Sequence, residues 1–316
     1  MPLQFLLLIV GIAVTFISGS LVVSGASFTA KILGIRKMVI GMTVVAFGTS
    51  APEFVVSLVA VLMDKKDIAL GNVVGSNIAN VGLALAVAAL VAPIAVSRRS
   101  LVFEYPAMIV LSLALFAAAL TGGSVGRIEG AVLVMGLIAF IVYTGLLSRG
   151  NRDQRPRLEE DVPDKSKLPR ALTIILLGLV GLSVGSKLLV ASSLQILSVF
   201  GVPEFIIGAT VVAVGTSLPE MATTVIGAWK GEREIAVGNI IGSNVFNIGM
   251  VAGTVSLISP ISVAPRTLSY EFPVMLLFAF LMLPLLLRKK GVGRTWGVLA
   301  LVAYAAFMVI AFSRPG

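Results

Sequence analysis

Gly48-Thr49-Ser50-Ala51-Pro52-Glu53 sits in otherwise apolar sequence, and Gly215-Thr216-Ser217-Leu218-Pro219-Glu220 repeats it 167 residues later. Each copy places a carboxylate beside a proline and two hydroxyls, inside a stretch long enough to cross a bilayer. Glu53 lies about fifteen residues from Met38 and nine from Leu62; Glu220 lies sixteen from Glu204 and eight from Ala228. At about 1.5 Å per helical residue, both reach the inner part of a membrane. A charge there is costly and faces a polar cavity, an ion or a partner. Two equivalent carboxylates point to a symmetric cation site. Ordinary proline kinks, with the glutamates bonded for packing, are the structural alternative and leave the paired charge unexplained.

The surrounding composition supports the membrane reading. The 316 residues are 58% hydrophobic and 12% charged, where a soluble domain carries about a quarter charged residues. The runs are continuous rather than ten-residue alternations, which excludes a barrel. Ten spans are expected near 3–28, 38–62, 68–92, 101–120, 128–147, 171–193, 204–228, 235–258, 268–287 and 295–312, each near the roughly 20 residues a crossing helix needs. The first span is longer than the apolar core of a signal peptide and is expected to be retained. Cysteine and histidine are absent, so thiolate or imidazole metal sites and histidine acid–base chemistry are excluded. Oxygen ligands remain, and they favour hard cations. No cofactor is expected.

The 167-residue offset holds well beyond the opening phrase. Residues 41–60 match 208–227 at 10 of 20 positions, and 69–82 match 236–249 at 8 of 14. Arg99, Glu104 and Pro106 correspond to Arg266, Glu271 and Pro273. The chain therefore divides into a first five-helix repeat (1–148), a polar linker (149–170) and a second five-helix repeat (171–316). Five is odd, so consecutive copies enter the membrane from opposite sides. The expected fold is an all-α integral membrane protein of ten transmembrane helices in two inverted repeats, with broken helices at the central site.

Charge sets the direction. With the N-terminus outside, the inside connections hold 18 Lys and Arg residues against 5 outside. That bias places both termini outside and the linker in the cytoplasm. The net charge of +9 is thus spent on orientation, and a nucleic-acid partner is not indicated. Trp229 and Trp296, near span ends, fit interfacial anchoring.

Pro52 and Pro219 cannot donate a helical hydrogen bond, so carbonyls near 46–50 and 213–217 should open. These join the hydroxyls of Thr49, Ser50, Thr216 and Ser217 and the two glutamates. Spans three and eight add Asn72, Ser76 and Asn80, and Asn239, Ser243 and Asn247, each set spaced by four and so on one helical face. We expect Ser76, Asn80, Ser243 and Asn247 near ions and Asn72 and Asn239 in structural bonds. Glu104 and Glu271, near span starts, suit an interfacial or helix-terminal role. A nucleotide-driven pump is excluded by the lack of a Walker-type loop and of a soluble domain to hold one. Catalysis is a weak reading, because the flanking hydroxyls and amides suit coordination better.

Gly48-Thr49-Ser50-Ala51-Pro52-Glu53 and Gly71-Asn72-Val73-Val74-Gly75-Ser76-Asn77, with their second copies, resemble the alpha repeats of the cation/calcium exchanger superfamily. The likeness is greatest to prokaryotic sodium/calcium exchangers and covers essentially the whole chain. It implies a multi-pass protein of a prokaryotic plasma membrane that exchanges three sodium ions for one calcium. In such proteins the first and sixth spans slide across a more static core. By resemblance, Glu53 and Glu220 are the principal calcium ligands, assisted by Thr49 and Thr216. The backbones of Ala46 and Ala213, with Ser50, Ser76, Ser217 and Ser243, serve sodium, and Asn80 and Asn247 fill the central polar position. Many relatives carry aspartate where this chain has Asn247, so only two carboxylates remain and potassium coupling is disfavoured. Proton/calcium exchange or exchange of another cation stays open. The expected partners are membrane lipids and the transported ions, with no obligatory protein partner and oligomerisation undecided.

Overall fold

The computed structural model describes residues 2–96, 101–150, 164–199, 215–287 and 291–313, with the side chains of 147–150, 286 and 312 excepted. Its helices are α1 (Pro2–Leu33), α2 (Lys37–Thr49), α3 (Ala51–Leu62), α4 (Lys66–Val91), α5 (Glu104–Gly122) and α6 (Arg127–Gly150). After the linker come α7 (Leu168–Val199), α8 (Leu218–Trp229), α9 (Arg233–Ile258), α10 (Thr267–Leu285) and α11 (Arg294–Ser313). Among the described residues, eight helices are individually long and apolar enough to cross a membrane, and α2 with α3, bent by 41°, makes a ninth. The remaining expected span, 204–228, begins outside the described residues and is represented by α8.

The outer surface is that of a protein solvated by lipid. Leu3, Ile9, Val110, Ile128, Leu176 and Val302 are each at least 60% exposed, an apolar exterior that water would drive to aggregate. Apolar helices gain nothing from each other over lipid tails, so small residues must bring the backbones close. The α1–α7 crossing does this: a Cβ on Gly185 would meet the Thr15 backbone nitrogen at 2.9 Å and its hydroxyl at 2.5 Å. α1 runs five residues past its expected end, and Ala30 and Ile32 are buried there. Packing on the core sustains the helix beyond its most apolar stretch.

Contacts recur at the 167-residue offset. Gly130 of α6 lies against the Gly253 carbonyl of α9, and Gly297 of α11 lies against the Ala86 carbonyl of α4; a Cβ at either glycine would stand 2.7 Å from that oxygen. The strands β1 (Ser124–Val125) and β2 (Ile261–Ser262) pair antiparallel with Val125 opposite Ile261. Ile94 and Val292, their equivalents, form a separate antiparallel bridge. π-helical turns open at Asn80 and at Asn247, over Asn80–Leu85 and Asn247–Ala252. Such turns add a residue to the helical ladder and are frequent at functional sites.

One expected anchor is corrected. Trp229 is 60% exposed, but Trp296 is buried and its Nε1 donates to the Leu281 carbonyl at 3.0 Å. The indole nitrogen found a protein acceptor on α10, so the ring packs inward instead of sitting among headgroups.

Candidate ion-binding site

Pro52 lacks an N–H, and the helix breaks at Ser50, whose backbone leaves the helical region at φ −82° and ψ 2°. Ser217 repeats the break at φ −85° and ψ 5°. Each new helix, α3 and α8, then has its proline second and its glutamate third, in the first turn. The positive end of a helix dipole faces each carboxylate, a favourable placement for negative charge. The break opens less backbone than the sequence suggests: the Ala46 carbonyl accepts from the Ser50 backbone at 2.9 Å and from the Thr49 hydroxyl at 3.3 Å.

α9 crosses α2 backbone to backbone. A Cβ on Gly242 would stand 2.5 Å from the Met42 carbonyl and 2.6 Å from the Ala46 Cβ, so only glycine admits the approach. This crossing brings the Thr49 hydroxyl to within 3.4 Å of Ser243 Oγ and 3.2 Å of Asn239 Oδ1. Ser50 Oγ donates to Glu220 Oε1 at 3.2 Å, linking the two halves at the break itself. The Glu53 and Glu220 carboxylates interact electrostatically, and Thr216 and Ser217 lie beside Glu53. Ser217 Oγ nonetheless falls outside hydrogen-bonding geometry and has no partner.

The asparagines divide into two kinds. Asn72 Nδ2 donates to the Glu53 carbonyl at 3.1 Å and to Ser57 Oγ at 2.9 Å. Asn239 Nδ2 does the same to the Glu220 carbonyl and Thr224 Oγ1, at 3.3 and 3.2 Å. These two fasten α4 to α3 and α9 to α8 behind the glutamates. Deeper in, Asn80 Nδ2 donates to Asn244 Oδ1 at 2.9 Å, and Asn247 Nδ2 donates to Asn77 Oδ1 at 3.2 Å. Asn77 and Asn244 then donate to the sulfurs of Met275 and Met108. Asn77, Asn244 and both methionines were not singled out from the sequence. The signal was present in the Asn-x-x-Asn spacing of 77–80 and 244–247.

The amide nitrogens are thus committed, which leaves the Oδ1 atoms of Asn80 and Asn247 without partners. Both oxygens of Glu53, Oε2 of Glu220 and Oγ of Ser217 are likewise buried and unpartnered. α3 packs against the π-turn at Asn247, and α8 against the π-turn at Asn80, so each glutamate-bearing helix lies against the asparagine turn of the other half. Each unsatisfied buried polar group costs roughly 1–3 kcal/mol, more when charged. Oxygens of this kind are ones that a hard cation would satisfy and that bonds within the protein do not. Two carboxylates match the charge of one calcium ion, whose shell takes about 6–8 oxygens.

Of the residues expected at the site, Glu53, Glu220, Thr49, Ser50, Ser217, Ser76, Ser243, Asn80, Asn247 and Ala46 are all buried. Thr216 is half-buried, and Ala213 lies outside the described residues. Glu104 stands apart in the first turn of α5, where Arg36 Nη2 meets its Oε1 at 2.6 Å. Glu271 faces Arg266 at 3.8 Å. Arg99 lies outside the described residues.

A family model described as sodium/calcium exchanger protein matches this chain over residues 3–146 and over 170–313, two segments related by the same 167-residue offset. The chain is 37% identical to the putative antiporter CaxA of Alkalimonas amylolytica, covering 96% of this chain and 97% of that one. It is 32% identical to the sodium/calcium exchanger MaX1 of Methanosarcina acetivorans, with 98% of each covered. Its fold matches a solved structure of the sodium-calcium exchanger NCX_Mj, soaked with zero Na+ and Ca2+, at TM-score 0.81 and 28% identity over 99% of both chains.

Proposed function

Because this chain belongs to the sodium/calcium exchanger protein family, a family of membrane transporters and not of enzymes, we propose that it is a secondary active sodium/calcium antiporter. Its cage admits calcium or sodium in turn and opens alternately to the two sides of the membrane. The single observation that carries this reading is the pair of facing buried carboxylates, Glu53 and Glu220, three of whose four oxygens find no partner within the protein.

Glu53 and Glu220, with Thr49 and Thr216, hold calcium. Ser50, Ser217, Ser76, Ser243 and the backbones of Ala46 and Ala213 serve sodium, and the free oxygens of Asn80 and Asn247 complete the centre. Three sodium ions exchange for one calcium, so each cycle moves one net charge, worth about 2.3 kcal/mol per 100 mV. Calcium and sodium are cargo, and no cofactor takes part.

The cage is built by two inverted five-helix repeats, residues 1–148 and 171–316, joined by a cytoplasmic linker at 149–170. Both termini lie outside a prokaryotic plasma membrane. Contacts between connections support the pairing of sides, and the count of basic residues assigns which side is inside. Ile94 bridges to Val292, and counting basic residues puts both of these connections inside. Val125 pairs with Ile261, and the same count puts both of those outside. Membrane lipids are the expected surroundings, with no obligatory protein partner.

Calcium-loaded proteoliposomes test the coupling ion. Calcium efflux under imposed sodium, potassium or proton gradients is measured at clamped voltage. Efflux driven by sodium, and accelerated by the voltage polarity that favours net charge entry, supports the proposal. Efflux driven by protons and indifferent to sodium would replace it with proton/calcium exchange at the same two carboxylates.

A further inference from the structure

Away from the ion cage, positive charge gathers where the C-terminal turns of α1 meet the connection between α8 and α9. A cavity of about 530 Å³ opens there, lined in part by Ser24, Ser27, Lys31, Lys37, Lys230 and Glu232. Glu232 is already satisfied. Lys37 Nζ donates to both of its oxygens, at 2.8 and 2.7 Å, and Ser27 Oγ donates to Oε1 at 2.8 Å. Lys230 meets only neutral oxygens, the Ser20 carbonyl at 3.2 Å, Ser20 Oγ and Ser24 Oγ at 2.9 Å. Lys31 is exposed and forms no ion pair among the described residues. Three ammonium groups against one carboxylate leave the cavity two positive charges in excess.

Its depth is fixed by its neighbours. α1 has 32 residues and is about 48 Å long, against about 30 Å of hydrocarbon, so its last turns reach headgroup level. Trp229 directly precedes Lys230, is 60% exposed and packs on Phe16 of α1 with ring centroids 5.6 Å apart. An exposed tryptophan followed by a lysine suits the boundary between hydrocarbon and headgroups. Phe28 gives the cavity an apolar wall.

The equivalent positions in the other half cannot build this cavity. Ser20, Ser24 and Ser27 correspond to Lys187, Ala191 and Leu194, while Lys230 and Glu232 correspond to Met63 and Lys65. The duplication explains the ion cage, but it does not explain these lysines and serines, which occur on one face of the membrane only.

We infer that this cavity is a binding site for the phosphate of an anionic phospholipid. Lys31 and Lys230 hold the phosphate, Ser24 donates to it, and Phe28 supports the start of the acyl chain. The site joins α1 to the α8–α9 connection, so an occupying lipid would bridge two elements that otherwise meet through serines. The inference does not depend on which ions are exchanged.

The test is lipid retention. The protein is purified from nanodiscs of phosphatidylcholine doped with phosphatidylglycerol, and the bound lipids are counted by native mass spectrometry. Wild type should retain phosphatidylglycerol over phosphatidylcholine. Lys31→Gln should lower that retention about fivefold and Lys31→Gln with Lys230→Gln further, each lysine near the surface contributing to that extent. Lys31→Arg should keep it. Lys31 makes no packing bond, so the single variant reads the site even if the double variant folds poorly. Equal retention of the two lipids, or retention indifferent to Lys31→Gln, would overturn the inference. Displacement of phosphatidylglycerol by inorganic phosphate would overturn the assignment to lipid and make a soluble phosphate the occupant.

Discussion

Replacing Glu53 with glutamine removes one charge from the cage while keeping its shape, so stability and binding should move in opposite directions. In the wild type both Glu53 oxygens are buried without a hydrogen-bond partner. Glu220 keeps one bond, from Ser50 at 3.2 Å. An unsatisfied buried group costs roughly 1–3 kcal/mol, and glutamine brings a donor to the unpartnered Ser217 hydroxyl. The ion-free Glu53→Gln protein should therefore be more stable than wild type by about 1–3 kcal/mol, and Glu220→Gln should gain less. Calcium binding moves the other way. Losing one partner of a buried charge pair costs about 2–5 kcal/mol, or roughly 30-fold to several thousand-fold in affinity. The assay is thermal unfolding in detergent, first with chelator and no sodium, then across a calcium titration. Glu53→Gln should begin with a higher midpoint and lose the calcium-dependent rise. A lower starting midpoint with the calcium-dependent rise intact would refute the reasoning and favour a glutamate that serves packing.

Other sites give sharper structural tests. Gly242→Ala drives a methyl group into the Met42 carbonyl, and such overpacking costs about 1–3 kcal/mol; a lower unfolding midpoint together with slower calcium flux is expected. Asn244→Ala strips the acceptor from Asn80 Nδ2 and frees that amide to turn, so calcium affinity should fall by about tenfold, near the cost of one unmet buried donor, as read by calcium titration. Arg36→Met leaves the Glu104 carboxylate, 1% exposed, without its partner, a loss of about 3–5 kcal/mol. Adding Glu104→Leu should recover most of the midpoint, because the cost lies in the unpaired charge and not in the missing bond.

Much of this arrangement was legible in the sequence because duplication wrote it twice. The Pro-Glu pairs located the helix breaks, and the spacing of Asn72, Ser76 and Asn80 put three polar side chains on one face. The same spacing could not say which amides would turn inward. That depends on Asn77 and Asn244, which reach across between the halves, and on Met108 and Met275, which lie far away in the sequence and accept the last hydrogen bonds. The π-turns at Asn80 and Asn247 were also hidden, since inserting one residue into a helical ladder reflects packing more than local propensity. Trp296 misled for a related reason: a tryptophan near a span end is an anchor only if no carbonyl within the protein claims its N–H. The lysines around Ser24 and Ser27 looked like a share of the positive inner face. Only the folded chain brings Lys31 and Lys230 to one cavity.

The central claim is that calcium and sodium compete for one cage held by Glu53 and Glu220. Equilibrium binding of radioactive calcium to the purified protein, titrated with sodium at constant ionic strength set by choline, tests it most directly. Sodium should displace calcium completely along a sigmoidal curve, since more than one sodium ion must enter to expel it, and Glu53→Gln with Glu220→Gln should bind neither ion. Calcium retained at saturating sodium, or bound unchanged by the double variant, would contradict the account.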